Sequence, residues 1–181
     1  MRDVFYGAAC SLDGFIAGPN GEIDWLDVPA SRADDERYLA EAWSSVDTLI
    51  MGRKTYEDAF KHGDPQAMGM FDGVTWYVFS RTLASVETKN THLVRDDAAG
   101  CVRELKAQPG KRIWLFGGGE FASAMFGADL VDEIAINVIP VLLGSGVPLF
   151  VDPGKRVRLE HAETRLFGGG CVLLRHRVVR V

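Results

Sequence analysis

Three short segments of this sequence combine glycine, hydroxyl and cationic side chains in ways that suit a phosphate group. In Gly52-Arg53-Lys54-Thr55-Tyr56-Glu57 a glycine lets backbone approach a ligand. Two cations and a hydroxyl follow at once, where backbone N–H groups at a helix start would point at an anion. It is not a P-loop, because the upstream glycine of G-x-x-x-x-G-K-T is absent. Ser80-Arg81-Thr82 again sets a hydroxyl beside a guanidinium, whose fork of donors can grip phosphate. Gly117-Gly118-Gly119-Glu120-Phe121 is a glycine run of the kind that seats a pyrophosphate at a helix N-terminus, although it lacks the full G-x-G-x-x-G pattern. Taken singly, each segment has a plain alternative: a helix cap with solvated cations, a surface arginine in a turn, a tight turn without ligand. The triplet recurs at Gly168–Gly170, where it reads only as a turn.

The elements around these segments give them a common position. Val4–Cys10 reads as a strand, and Ser11–Val28 as a long loop broken by Gly14, Gly18, Pro19-Asn20-Gly21 and Pro29. Ser31 suits a helix N-cap, with Asp34, Asp35 and Glu36 in the first turn and Tyr38, Leu39, Ala42, Trp43 and Val46 at helical spacing. Thr48–Met51 is a short buried strand, Thr55–Lys61 a helix, and residues 64–73 a loop. Val74–Ser80 and Thr91–Val94 are strands. Asp96 or Asp97 caps a helix running to Leu105. Ile113–Phe116 is an apolar strand, followed after the glycines by a helix from Glu120 to Phe126, ended by Gly127. Glu133–Val138 is a strand, and a loop with Gly144, Gly146 and Pro148 leads to a terminal hairpin of Val157–Phe167 and Cys171–Val179. Alternating strands and helices predict an α/β fold with a mainly parallel central sheet and a C-terminal antiparallel hairpin.

All three segments therefore follow strands, and ligands in such sheets bind at the carboxyl ends of strands. Together they describe a nucleotide carrying several phosphates. Arg53 and Arg81 beside hydroxyls suit a 2′-phosphate, which favours NADPH over NADH.

Bulk properties bound the remaining possibilities. A length of 181 residues suits a single domain spanning 1–181. A net charge of −5 argues against a nucleic-acid partner. Cys10, Cys101 and Cys171 form no C-x-x-C pair, and His62, His92, His161 and His176 are scattered, so no metal site is expected. The start shows no signal peptide and no apolar run approaches a membrane span, so the expected location is the cytoplasm.

The residues also carry a resemblance. Ala8 to Ala17 (AACSLDGFIA), Trp25, Gly52 to Glu57, Ser80-Arg81 and Phe116 to Glu120 resemble dihydrofolate reductase in order and spacing. Val131-Asp132-Glu133 followed by Pro140-Val141-Leu142-Leu143-Gly144-Ser145-Gly146-Val147-Pro148-Leu149-Phe150 is similar to the C-terminal reductase domain of the bifunctional riboflavin-biosynthesis deaminase/reductase and its stand-alone relatives. The resemblance implies a dihydrofolate-reductase-like three-layer fold, with helices on both faces of the sheet, and an NADPH-dependent reduction of a small heterocyclic or ribosylamino-pyrimidine-like substrate. It implies that Ala9 meets the nicotinamide carboxamide, that Ile16 and Ala17 lie on a loop over the nicotinamide, and that Gly52, Arg53, Lys54 and Thr55 hold the 2′-phosphate and pyrophosphate. Ser80 and Arg81 would flank the adenosine, and Gly117, Gly118, Gly119, Glu120 and Phe121 would wrap the pyrophosphate, with a cis Gly117–Gly118 peptide.

The zinc deaminase signature is absent, which leaves only the reduction. The register after Trp25 departs from dihydrofolate reductase and no arginine matches a folate tail, which argues against folate itself. Asp24, Asp27 and Asp34 compete as the carboxylate that supplies or relays a proton, with Asp24 preferred; Trp25 and Tyr56 are the candidate substrate contacts. Trp43, Trp76 and Trp114 read as core. Asp13-Gly14 reads as a turn. An apolar edge in the terminal hairpin would suit a homodimer, the assembly often found among the relatives. The alternative functions are an NADPH-binding sensor or docking protein without turnover and, further off, a true dihydrofolate reductase.

Overall fold

The computed structural model describes residues 1–26, 33–61, 72–86 and 89–180. Ser31 and Asp27 lie outside the described residues, as do the side chain of Asp34 and most of the expected 64–73 loop. An eight-stranded sheet forms the centre. Its strands are β1 (Val4–Ser11), β3 (Val46–Gly52), β4 (Thr75–Phe79), β5 (Thr91–Val94), β6 (Arg112–Phe116), β7 (Glu133–Ile139), β9 (Arg158–Leu166) and β10 (Val172–Val179). They lie in the order β5-β4-β3-β6-β1-β7-β10-β9. The strands from β5 to β7 pair in parallel, and β10 runs antiparallel to both β7 and β9.

Period-two alternation sorts the strand residues onto two faces. Val4, Tyr6, Ile50, Ile113, Leu115, Ile134 and Ile136 point to one face. There they pack on α3 (Ala98–Ala107) and α4 (Gly119–Gly127) through Val102, Leu105, Ala122, Met125 and Phe126. Phe5, Leu49, Met51, Trp76 and Val78 point to the other. They meet α1 (Ala33–Ser44) and α2 (Arg53–Lys61) through Trp43, Tyr56 and Phe60. Helices on both faces make the three layers that the resemblance implies.

Local chemistry sets the element ends. Asp97, rather than Asp96, caps α3, accepting the Gly100 N–H at 2.9 Å. The Ser44 and Ser45 hydroxyls donate back to the Glu41 and Ala42 carbonyls and close α1, so Val46 opens a strand instead of extending the helix. The loop after β1 is also more ordered than its glycines imply. It contains β2 (Phe15–Ala17), which pairs antiparallel with β8 (Val147–Pro148), and a 3-10 turn over Asp24–Leu26.

Asp13 locks this second, two-stranded sheet in place. Its carboxylate accepts the Leu143 and Gly144 N–H groups at 3.2 and 2.7 Å and the Ser11 hydroxyl at 2.6 Å. The Ser11 hydrogen bond first, and then those from the backbone, hold the Asp13 carboxyl below its ordinary range. The expected Asp-Gly turn is present, and its aspartate also ties two distant loops together.

The terminal hairpin closes over a 3-10 turn at Gly168–Gly170, whose Gly168 N–H donates to buried Asp35 at 2.9 Å. Its outer strand β9 is mostly exposed and polar, unlike the apolar edge expected from sequence. No described helix is long and apolar enough to cross a membrane.

Candidate functional site

A cavity of about 1420 Å³ opens on the α1/α2 face and runs to the carboxyl ends of β1, β3 and β6. Its volume exceeds the roughly 300–1,000 Å³ typical of small-molecule sites, so it can seat more than one small molecule. Ala9, Ile16, Ala17, Gly52, Arg53, Lys54, Thr55, Gly117, Gly118, Gly119, Glu120 and Phe121 all line it. The sequence places these residues far apart; the parallel order β3-β6-β1 brings the loops that follow each strand to one edge.

At the first end of the cavity two helix N-termini come together. β3 passes into α2 at Gly52–Arg53 with no linker, and β6 passes into α4 through Gly117 and Gly118. Both of those glycines are left-handed, with φ of 65° and 59°, a conformation other residues adopt at a cost. Every described peptide bond is trans, so the Gly117–Gly118 peptide is not cis, contrary to the expectation from sequence. Two successive left-handed residues give the turn its tightness instead.

Glycine is also required by space. A Cβ on Gly117 would lie 2.7 Å from Thr55 Cγ2, and one on Gly118 would lie 3.0 Å from Thr55 Oγ1. A Cβ on Gly119 would lie 2.8 Å from the Pro148 carbonyl oxygen. The bare backbone of the glycine turn thus packs directly on the first turn of α2 and under β8. The leading N–H groups of both helices have no intrahelical partner, and both helix dipoles are positive here. Arg53 and Lys54 add two cations. Each is paired with a carboxylate, Arg53 with Glu57 at 2.7 Å and Lys54 with Glu120 at 3.5 Å, in half-exposed or exposed positions where such pairs exchange readily for an anion.

Ile16 and Ala17 reach the cavity from β2, beside Val147 and Pro148 of β8. These short strands form a strap across the cavity. The Leu149 N–H donates to the Gly14 carbonyl at 2.8 Å, and the Tyr6 hydroxyl donates to the Leu149 carbonyl at 2.9 Å, fixing the strap to the core.

The second half of the cavity lies over β1, β6, β7 and β10. Alternation places Phe5, Gly7 and Ala9 of β1, Arg112, Trp114 and Phe116 of β6, Glu133, Ala135 and Asn137 of β7, and Leu173 and Arg175 of β10 on its floor. Gly7 matters here, because a Cβ would come within 2.5 Å of Trp114 Nε1, which donates to the Gly7 carbonyl at 2.9 Å. Trp114 stacks on Phe5 at 5.6 Å and meets Trp43 at 4.7 Å. Trp76 is fully buried, as expected of a core residue, and all three tryptophans Trp43, Trp76 and Trp114 also contribute to the cavity wall.

Charge enters this apolar wall as a closed network. Arg112 donates to Glu133 at 2.7 Å, Arg175 donates to both Glu133 oxygens at 3.0 Å, and Arg175 also donates to Glu163 at 2.7 Å. The Tyr38 hydroxyl donates to Glu163 at 3.1 Å. Burial would raise the Glu133 carboxyl, but hydrogen bonds and charge from Arg175 and Arg112 outweigh it and hold the group below its ordinary value. Sequence reading missed this network. The signal for it was present in part: Arg112 and Glu133 are the one charged residue of β6 and of β7, and β10 carries Arg175 and Arg177 on one alternating face.

Five expected site residues lie off the cavity wall. Asp24 is exposed and lies off the lining, to which Glu22, Ile23 and Leu26 around it contribute. Trp25 packs beside Phe167 and Leu173 and donates its indole N–H to the Glu22 carbonyl at 3.1 Å. Tyr56 is buried against Phe60 on the helix side of α2. Ser80 turns its hydroxyl to the Thr82 and Leu83 N–H groups at 3.2 and 2.9 Å, closing a local turn, and Arg81 is exposed beyond it. The three cysteines are free thiols, with Cys10 and Cys171 buried.

Against known families, residues 2–173 match the model of the RibD C-terminal domain. The chain belongs to the RibD C-terminal domain family. Two Bacillus subtilis (strain 168) relatives, both uncharacterized, are similar along nearly their whole length. YyaP is 34% identical, with 95% of this chain and 93% of YyaP covered. YwjB is 36% identical, with 92% of each covered.

Among solved structures, a Shewanella sp. PV-4 protein named for riboflavin biosynthesis superposes with a TM-score of 0.85 at 26% identity, covering 99% of this chain and 100% of that one. The diaminohydroxyphosphoribosylaminopyrimidine deaminase/5-amino-6-(5-phosphoribosylamino)uracil reductase of Thermotoga maritima shares the fold, with a TM-score of 0.69 at 16% identity over 98% of this chain and 57% of its own. The dihydrofolate-reductase-like layering of this chain is the fold of the RibD family, and the family is a reductase-like one.

Proposed function

We infer that this RibD-family chain is an NADPH-dependent reductase that transfers a hydride to a small heterocyclic or ribosylamino-pyrimidine-like substrate. The observation that carries the reading is the meeting of the α2 and α4 N-termini at one cavity, with Thr55 packed on Gly117 and Gly118. Bare glycine backbone, two helix N-termini and two lightly paired cations form a donor set suited to a dinucleotide phosphate chain. Gly117 to Phe121 would hold the pyrophosphate, and Gly52, Arg53, Lys54 and Thr55 the pyrophosphate and 2′-phosphate. Ala9, Ile16 and Ala17 would border the nicotinamide, and Ser80 and Arg81 remain adenosine-end candidates next to cavity-lining Phe79. The bound nicotinamide supplies the hydride. This chain's residues supply positioning, and the strap of β2 and β8 excludes water above it.

The buried wall carboxylate Glu133 is held ionised, and Asp24 lies off the wall. That observation favours, as a second reading, an NADPH-binding sensor or docking protein without turnover. NADPH oxidation against a panel of dihydropterins, aminopyrimidinones and simple carbonyls separates the two. Turnover of one compound supports the reductase; NADPH binding with no turnover across the panel supports the sensor; absence of NADPH binding sinks both.

A further inference from the structure

The half of the cavity away from the glycine turn has a definite chemistry of its own, and its assignment as the substrate half rests on the reductase reading. The described cations that line it are Arg112 and Arg175, each paired with a carboxylate, and a third, Arg165, lies over the Tyr38 and Phe167 rings and pairs with Asp35. Arg112 donates to Glu133 while its guanidinium carbon lies 4.3 Å from the centre of the Phe5 ring. Arg175 is held by Glu133 and by Glu163 at once. Two guanidinium groups and two carboxylates sum to zero charge. A phosphate entering here would have to take an arginine from Glu133, whose side chain is only 14% exposed. That would leave a carboxylate unpaired in an apolar wall, the costly outcome for a buried ion pair.

Asn137 differs from these residues. It faces the same cavity from β7, one alternation beyond Ala135, and sits in register with Ala9 of β1. Among the described residues its carboxamide has no hydrogen-bond partner. It therefore offers one donor and one acceptor side by side, the complement of a ring edge that sets an N–H next to a C=O. Around it the wall is aromatic, from Phe5, Trp43, Trp114, Tyr38 and Phe167. Aromatic walls favour a flat ligand through offset or edge contacts.

We propose that the substrate half takes an uncharged, planar, unphosphorylated heteroaromatic ring with a lactam edge, and that the Asn137 carboxamide reads that edge. The ribosyl phosphate of a riboflavin-pathway pyrimidine is then not a recognition element here, which sets this chain's substrate apart from that of the deaminase/reductase it resembles.

The test uses 5-amino-6-(ribosylamino)uracil and its 5′-phosphate as a matched pair, with binding followed by quenching of tryptophan fluorescence in the absence of cofactor. The unphosphorylated compound should bind at least about tenfold more tightly than the phosphate ester, a gap of about 1.4 kcal/mol or more. Asn137→Leu should weaken the unphosphorylated compound by about tenfold or more, and in steady state raise KM with kcat little changed; Asn137→Gln should recover part of the loss. Equal or tighter binding of the phosphate ester, no binding of either compound, or an unchanged KM in Asn137→Leu overturns the proposal. NADPH titration is run in parallel: its failure with the ligand preference intact would sink the cofactor reading and leave this one standing.

Discussion

Replacing Gly117 with alanine tests the packing of the two helix N-termini. The residue has φ of 65°, where an L side chain costs about 1–2 kcal/mol. The new Cβ would also lie 2.7 Å from Thr55 Cγ2 and 3.1 Å from Thr55 Oγ1, forcing the threonine off its rotamer for about 0.5–1.5 kcal/mol more. A total of about 2–3 kcal/mol should lower Tm by roughly 5–10 °C in a chain of this size. Gly154→Ala is the control, since φ is 72° but nothing lies within 4 Å of the added Cβ; it should lose only the backbone part, roughly 2–6 °C. In the double variant Gly117→Ala/Thr55→Ser the methyl at 2.7 Å is gone, and part of the extra loss should return. Because the same glycine turn is assigned to the cofactor phosphates, Gly117→Ala should weaken NADPH by about ten- to a hundredfold, the loss of one or two charge-assisted hydrogen bonds. Differential scanning fluorimetry and NADPH titration read both effects. Wild-type NADPH affinity in Gly117→Ala, with a Tm equal to that of Gly154→Ala, would refute the reasoning.

Buried charge sets the other expectations. The Glu133 carboxyl is depressed below its ordinary value of about 4.3, so it contributes stability above that pH and loses it as pH falls through the folded value. Wild-type Tm should therefore fall more steeply than that of Glu133→Gln below about pH 5, as followed by circular dichroism. Lys106 is buried, donating to the Leu130 carbonyl at 3.1 Å and to Asp132, so Lys106→Ala should cost about 3 kcal/mol, measured by urea unfolding. Burial first, and then the neighbouring Cys171 and Asp13, push the Cys10 thiol up to about 11. At neutral pH the native protein should leave Cys10 unalkylated by iodoacetamide, and peptide mass mapping would reveal labelling if the site were open.

The residues proposed to meet the cofactor stand out in sequence because their chemistry is local, and the structure brings Gly52–Thr55 and Gly117–Phe121 to one cavity. Glycine, cation and hydroxyl stand together in Gly52–Thr55, and a strand precedes them. Ser80-Arg81 carried the same local signal, yet the Ser80 hydroxyl is taken by the Thr82 and Leu83 N–H groups in a turn of its own. The strap was not legible, because a three-residue and a two-residue strand are too short to show periodicity, and their pairing depends on Asp13 reaching Leu143 and Gly144. The second half of the cavity was hidden for a different reason. Arg112, Glu133 and Arg175 look like solvent-facing charges until the order β6-β1-β7-β10 sets them side by side. Asp24 was chosen among three carboxylates for its place beside Trp25, and the turn at Asp24–Leu26 leaves both side chains off the cavity lining.

The central claim is that the α2 and α4 N-termini hold a 2′-phosphorylated nicotinamide nucleotide. Calorimetric titration of NADPH and NADH onto the wild type and Arg53→Ala tests it most directly. Arg53 and Glu57 are each about two-fifths exposed, so losing their pair should change stability by no more than about 1 kcal/mol and leave the fold intact. The account predicts one NADPH per chain, NADH weaker by about tenfold or more, and a preference largely lost in Arg53→Ala. Equal affinities for the two nucleotides in the wild type, or an NADPH affinity untouched by Arg53→Ala, would contradict it.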